Sequence, residues 1–310
     1  MGTSVPTALH LRYAKIADKL SANPDMELGD VRLLLEQLHV LAAEPTDVTY
    51  EEVDAGGVPA IVAKPLDAAA DRLIVYAHGG GMALNSASSH RKLAAHLAKA
   101  AGMHAVVVDY RLAPENPFPA QIEDLVTVHQ WLRRQGIAPE HTATAGDSAG
   151  GNLAITSVLK LRDLGEPLPA GIMAFSPWID MQSLGDTFVS NADSDALMSR
   201  EVSERMAGLY LGEVSQTEPL ANPLYADLSG LPPIFVAAGE AEVLLDGAER
   251  FVKRARAAGV DTTFECAPGQ EHAHELMAGK SKEADAAIAN AGRWMRSLFG
   301  LHKTTVERHE

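Results

Sequence analysis

The chain has a single cysteine, Cys266, in 310 residues, so no intrachain disulfide can form, which suits a reducing compartment. Lying in the run Thr262 to Cys266, that thiol reads as a small buried hydrophobe on a strand. Basic residues are also scarce: 26 Lys and Arg stand against 41 Asp and Glu, a net charge of −15. That balance disfavours nucleic acid and anionic membrane surfaces as partners, and most of the acidity reads as solubility. No apolar run reaches the ~18 residues of a membrane span. Residues 1–20 lack the charged and then apolar regions of a signal peptide, and Pro6 stands where a myristoylation motif at Gly2 takes Ser or Thr. No internal repeat or low-complexity linker breaks the chain. Neither a His-x-x-x-His motif nor a cysteine pair suggests a metal, so no cofactor is expected. A soluble, cytoplasmic chain follows, with homodimerisation left open.

What is present is ordinary globular composition, 46% hydrophobic and 22% charged, enough for one large core. Residues 7–43 show a helical pattern, with Leu33, Leu34, Leu35, Leu38 and Leu41 making an apolar stripe. Val48 to Val53 and Val58 to Ala63 flank Asp54-Ala55-Gly56-Gly57, the pattern of a hairpin. Six short apolar runs then alternate with helical stretches: Leu73–Ala77, Ala105–Val108, Thr142–Ala145, Gly171–Phe175, Pro233–Ala237 and Thr262–Cys266. Runs of that kind are strands covered on both faces by crossover helices, which predicts a mostly parallel sheet. The long stretch between Phe175 and Pro233, helix-like from Gly185 to Leu211, reads as an insertion sitting on the sheet.

Gly146-Asp147-Ser148-Ala149-Gly150 joins the Thr142–Ala145 run to the helical run Asn152–Arg162. Strand, sharp turn and helix are the context of a nucleophile elbow: small neighbours permit the turn, and the helix N-terminus favours negative charge nearby. His78-Gly79-Gly80-Gly81 ends the Leu73–Ala77 run. Consecutive glycines let backbone N–H groups converge on an oxyanion. A phosphate cradle is the competing reading, but the Gly-x-Gly-x-x-Gly spacing and the P-loop lysine are absent. A serine nucleophile needs a base and an orienting acid, and chain order puts the acid after the seventh strand and the base near the C-terminus. His272 and His274 are the candidate bases. His90, His96 and His129 fall in helical runs and His302 and His309 in a charged tail.

Together these segments resemble the hormone-sensitive-lipase-like carboxylesterases of the α/β-hydrolase superfamily. The matching stretches are His78 to Gly81, Asp109 to Glu115, Gly146 to Gly151, Ser176-Pro177-Trp178 and Glu242 to Asp246, over about residues 48–298. The resemblance implies an α/β-hydrolase fold: a mostly parallel eight-stranded sheet with flanking helices and a helical cap. It implies oxyanion donors at the amides of Gly80, Gly81 and Ala149, supported by His78, Gly79 and Asp147. The family's spacing of a glycine before the base selects His272, with His274 heading the next helix. Many members carry Asp-Pro-Leu-x-Asp where this chain has Glu242-Val243-Leu244-Leu245-Asp246, so Glu242 falls at the acid position. Asp246 is the alternative acid, with a helix N-terminal or salt-bridge role otherwise; Glu240 is a weaker choice.

Residues 1–45 are then expected to be an N-terminal cap segment on a hydrolase domain of residues 46–310, with a cap insertion at about 183–215. Asp109 and Arg111 are expected either as a buried pair bracing the oxyanion loop or as a solvated pair. Trp178 either lines the acyl pocket or packs the core. The resemblance implies an esterase of short-to-medium acyl chains acting on a small-molecule ester. Asn191-Ala192-Asp193 and Asp227 to Pro232 also resemble segments of lactone-hydrolysing members. Small-amide hydrolysis by the same triad stays open, as does a non-catalytic ligand-binding protein, which would have no need of His272.

Overall fold

The computed structural model describes residues 7–301; Gly2, His302 and His309 lie outside the described residues. Helices α1 (Ala8–Ala22) and α2 (Leu28–Glu36) come first, the second running into a 3₁₀ turn at Gln37–Val40. Next are β1 (Val48–Asp54), β2 (Pro59–Pro65), β3 (Ala69–Ala77), α3 (Ala87–Ala101) and β4 (Met103–Val108). The alternation continues through α4 (Ala120–Arg134), β5 (Thr142–Asp147), α5 (Ala149–Asp163) and β6 (Gly171–Phe175). Two helices, α6 (Thr187–Ser190) and α7 (Arg200–Leu211), interrupt it. It resumes with β7 (Ile234–Gly239), α8 (Leu245–Ala257), β8 (Thr262–Ala267) and α9 (Lys282–Leu298).

The strands form one eight-stranded sheet in the order β1-β2-β4-β3-β5-β6-β7-β8. Antiparallel pairing is confined to β1 with β2 and β2 with β4, and every later pair is parallel. The Asp54–Val58 turn closes the β1–β2 hairpin: Gly56 (φ +82°) and Gly57 (φ +97°) take conformations that disfavour side chains, and Ala55 N–H donates to Val58 C=O at 2.8 Å. In the sheet centre, Ile74, Val75, Tyr76, Val106, Val107, Ile172 and Phe175 are buried. Helices on both sides exclude water from these residues, which is why the runs carry no polar alternation. Because the strands are parallel from β4 onward, the C-terminal ends of β3, β5, β6 and β7 open on one edge, and the loops leaving them meet there.

Two local expectations change. Cys266 is exposed, not buried, because β8 is the last strand of the sheet and has a neighbour on one side only. Leu34, Leu35, Leu38 and Leu41 of the N-terminal stripe are buried, whereas Leu33 points outward. The stripe packs against α3 and the loops leaving β3 and β4, and α2 is tied down by polar contacts. Arg32 donates to Ala83 C=O and Ala113 C=O, both at 2.9 Å, and pairs in a fork with Glu115. Glu36 accepts the Ser86 hydroxyl.

Ser86 is also the cap of α3: its hydroxyl oxygen accepts Ser89 N–H while Ser89 Oγ accepts Ser86 N–H, a reciprocal capping box. Ser86→Ala removes the cap and the bond to α2 together, and is expected to cost about 1–2 kcal/mol. Urea unfolding measures this; an unchanged midpoint would show that neither contact stabilises the fold.

Candidate active site

The turn from β5 into α5 places Ser148 in a backbone conformation, φ +55° and ψ −119°, that non-glycine residues rarely adopt. Such strain costs of order 1–3 kcal/mol and persists because its surroundings fix it. Ser148 N–H donates to Phe175 C=O at 2.8 Å, and its own C=O accepts Trp178 N–H at 2.9 Å. The glycines around it are sterically required. A Cβ on Gly146 would overlap Gly150 C=O, and one on Gly150 would overlap Ala77 C=O. Asn152, one turn along α5, donates to Trp178 C=O and Ala221 C=O, both at 2.9 Å, tying the elbow to the segment after α7.

The loop after β3 lies against this elbow. Cβ atoms on Gly79 and Gly80 would overlap Asp147 Oδ2 and Leu84 C=O, and one on Gly81 would sit 2.7 Å from Met206 Cγ. Gly80 has φ +124° and Gly81 φ +61°. Among the described residues, the amides of Gly80, Gly81 and Ala149 donate to no protein acceptor.

Behind the loop lies a buried polar network centred on Asp147. Its Oδ1 accepts the Tyr76 hydroxyl at 2.7 Å, and its Oδ2 lies 3.3 Å from His90 Nε2. Burial opposes ionisation of this carboxyl, but His90 and the Tyr76 hydroxyl outweigh it and lower its pKa. The His78 ring stacks on Tyr110 at 4.1 Å and its Nδ1 lies 2.8 Å from Gly79 C=O, so Nδ1 carries the proton. Burial, followed by the proximity of His90, lowers the His78 pKa to about 3 and keeps the ring neutral.

His272, in the loop after β8, puts Nε2 2.9 Å from Ser148 Oγ. Its Nδ1 lies 3.5 Å from Glu242 Oε2, an ion contact longer than a full hydrogen bond. Burial pulls the imidazole toward its neutral form. Glu242, with Asp195 and Asp147 beyond it, outweighs that and raises the His272 pKa. Glu242 is wholly buried and its Oε2 accepts the Ser176 hydroxyl at 2.6 Å. Asn191 donates to Glu242 C=O at 2.9 Å, and Asp195 accepts Val243 N–H at 3.0 Å, so the segment between β6 and α7 braces the loop that carries Glu242. Burial raises the pKa of Asp195. Above Ser148 and His272 opens a cavity of about 190 Å³ whose walls include Tyr13, Leu35, Trp178, Val202 and Met206.

Ser148, His272 and Glu242 are thus adjacent, with the Gly79–Gly81 backbone beside them. Asp246 is elsewhere: it heads α8 and pairs with Arg250. Glu240 accepts Gly269 N–H at 2.8 Å. Trp178 both lines the cavity and is buried, its indole N–H donating to Ser203 Oγ at 2.9 Å. Asp109 and Arg111 do not form a pair. Asp109 is exposed and accepts Ala87 N–H in the first turn of α3, whereas Arg111 pairs with Asp124 of α4 at 2.8 Å. His274 heads the short 3₁₀ helix His274–Met277, 3.6 Å from Glu275, and burial raises the Glu275 pKa. His96 meets Ala43 C=O and His129 meets Thr144, both contacts within the scaffold. Sequence reasoning assigned His90 to a helix without a partner and gave Ser176, Asp195 and Tyr13 no role. The position of Ser176 at a parallel-strand end was the one available signal. Among the described residues, no cluster of three or more His, Cys, Asp or Glu side chains could hold a metal, and no helix is long and apolar enough to cross a membrane.

A strained serine turn above a parallel sheet, with a histidine on its hydroxyl, defines the α/β-hydrolase class, and comparison with known proteins agrees. Residues 74–276 match the Abhydrolase_3 family of the alpha/beta hydrolase fold. An acetyl-hydrolase of Streptomyces hygroscopicus is 39% identical over 229 residues, covering 74% of this chain and 77% of that protein. An esterase of Acinetobacter venetianus is 34% identical over 269 residues, covering 86% and 88%. The crystal structure of an esterase from the bacterial hormone-sensitive lipase family superposes with a TM-score of 0.90 at 39% identity, covering 96% of this chain and all (100%) of that one. The chain belongs to the alpha/beta hydrolase fold family, among its hormone-sensitive-lipase-like carboxylesterases.

The pairing of His90 with Asp147 yields a stability test. His90→Phe leaves a buried carboxylate short of a partner and is expected to cost about 3–5 kcal/mol at pH 7. The folded pKa of Asp147 is lowered, so its contribution is present above the unfolded value of about 4 and lost as pH falls below it; the difference between the proteins should narrow there. Urea unfolding at pH 7 and at about pH 3 measures both, and a cost under about 1 kcal/mol at pH 7 would exclude a strong pair.

Proposed function

We propose that Ser148, His272 and Glu242 are the nucleophile, base and acid of a triad hydrolysing short-to-medium acyl esters, with the amides of Gly80, Gly81 and Ala149 as oxyanion donors. The observation that carries this reading is the 2.9 Å contact between Ser148 Oγ and His272 Nε2 at a strained elbow. Ser148 Oγ attacks the acyl carbonyl carbon and its proton passes to His272 Nε2. The carbonyl oxygen becomes an oxyanion facing the three amides. Glu242 stabilises the imidazolium and holds the ring in its productive tautomer. Collapse breaks the ester bond, His272 Nε2–H protonates the leaving alcohol, and the acyl group stays on Ser148. Water, activated by the same base, releases the acid and restores the serine.

The helices α1 and α2, with the insertion at about 183–215, act as the cap in this reading. Their side chains wall the cavity and exclude water from the acyl group. A cavity of about 190 Å³ supports a short-to-medium acyl chain. Across p-nitrophenyl esters, turnover is expected to hold from acetate to about octanoate and to fall at laurate.

Ser148→Ala should lower kcat by several orders of magnitude and abolish fluorophosphonate labelling while the fold survives. Glu242→Ala should lose far more activity than Asp246→Ala; the opposite ranking would move the acid. The base must be neutral to accept a proton, and its pKa is raised above the usual 6.5, so kcat/KM should fall on the acid side through a midpoint above 6.5. Glu242→Gln keeps the shape and removes the charge. Burial then dominates and the midpoint should move down, whereas an unmoved acid limb would deny Glu242 its electrostatic role.

A further inference from the structure

The peptide group that follows His272 is held at both ends. Its carbonyl accepts the Tyr13 hydroxyl at 3.0 Å, and its N–H, on Ala273, donates to Ser176 Oγ at 2.9 Å. The Ser176 proton is committed to Glu242 Oε2, so toward Ala273 this oxygen acts as acceptor. Ala273 sits at φ +51° and ψ +44°, a left-handed conformation for a residue with a side chain, and such a conformation persists only when its surroundings hold it. One residue earlier, Glu271 Oε1 accepts the hydroxyl of Thr7, the cap of α1, at 2.6 Å. Helix α1 therefore grips two consecutive residues of the loop that carries the base.

Resting on the triad reading above, we propose that Tyr13 is a positioning residue for the base: its hydroxyl fixes the His272–Ala273 peptide plane and so directs the imidazole between Ser148 and Glu242. Tyr13 is fully buried and its ring also lines the cavity. Burial, followed by the charges of Asp195 and Asp147, raises its pKa well above the ordinary tyrosine value, so it stays a donor through the working range of an esterase. The N-terminal helix thus does more than cover apolar surface. It sets the angle of a catalytic side chain through one hydrogen bond to the backbone.

Tyr13→Phe keeps the ring and removes the donor. With p-nitrophenyl butyrate, kcat is expected to fall roughly tenfold, because small displacements of a reacting group are expensive, while KM stays within about twofold. The acid limb of kcat/KM should also move to lower pH as the imidazole drifts from Glu242. The charged groups facing His272 are Glu242 from the loop after β7, Asp195 from the insertion and Asp147 at the end of β5. A purely structural Tyr13 would lower Tm and leave both kcat per folded molecule and the acid limb unchanged. That result overturns the proposal. Thr7→Val releases the neighbouring grip from the edge of the loop and should lower kcat roughly threefold. Should Tyr13→Phe show no cooperative melt, Thr7→Val decides alone, and a kcat equal to that of the parent overturns the proposal. His272→Ala run alongside separates the two readings. If it keeps activity, the triad fails; if it is inactive while the other variants match the parent, only the positioning role of Tyr13 fails.

Discussion

The left-handed turn at Ser148 constrains everything around it. A hydroxyl can stand above the end of a parallel sheet only if the chain reverses from strand to helix within one residue. That reversal brings Gly146, Gly150 and Gly79 too close to the Ala77 backbone and to Asp147 to carry side chains. The strain is balanced by a ring of backbone bonds: Ser148 N–H to Phe175 C=O, and Trp178 N–H to Ser148 C=O. These link Ser148 to the end of β6, and Ser176 links that end in turn to Glu242 and to the His272 loop. Ser148, His272 and Glu242 lie far apart in the chain yet share one strand end as their common reference.

Around this frame, buried charge is arranged in two groups. Asp147 meets Tyr76 and His90 on the side of the glycine loop, and Glu242 accepts from Ser176 and faces the imidazole on the other. The first group lowers the pKa of a carboxyl that burial alone would raise. The second raises that of an imidazole that burial alone would lower. The same low-dielectric interior serves both ends, because each charge has a specific partner within reach. His78, on the side of the first group and with no carboxylate bonded to its ring, stays neutral.

The sheet was legible because strands buried on both faces carry unbroken apolar runs. The elbow and the glycine loop were legible because close backbone approach demands small residues at fixed spacing. Partners decided by tertiary packing were not. Asp109 and Arg111 are near neighbours at the end of β4, but the N-terminus of α3 takes one and Asp124 of α4 the other. Cys266 sits in a run resembling the interior strands, and only the strand order reveals that β8 is an edge. His90 looked like any helical histidine until α3 packed it under Asp147. Tyr13 and Ser176 reach His272 and Ala273 from 259 and 97 residues away, separations that no local pattern records.

The bond from Tyr13 to His272 also has a meaning for the birth of the molecule. The carbonyl that helix α1 grips is made 259 residues after Tyr13. At ordinary synthesis rates that interval is roughly 10–50 s. Throughout it the apolar face of the first helices has neither its loop nor its finished sheet to cover. The apolar face of α1 and α2 is therefore made well before the loop that covers it in the folded molecule.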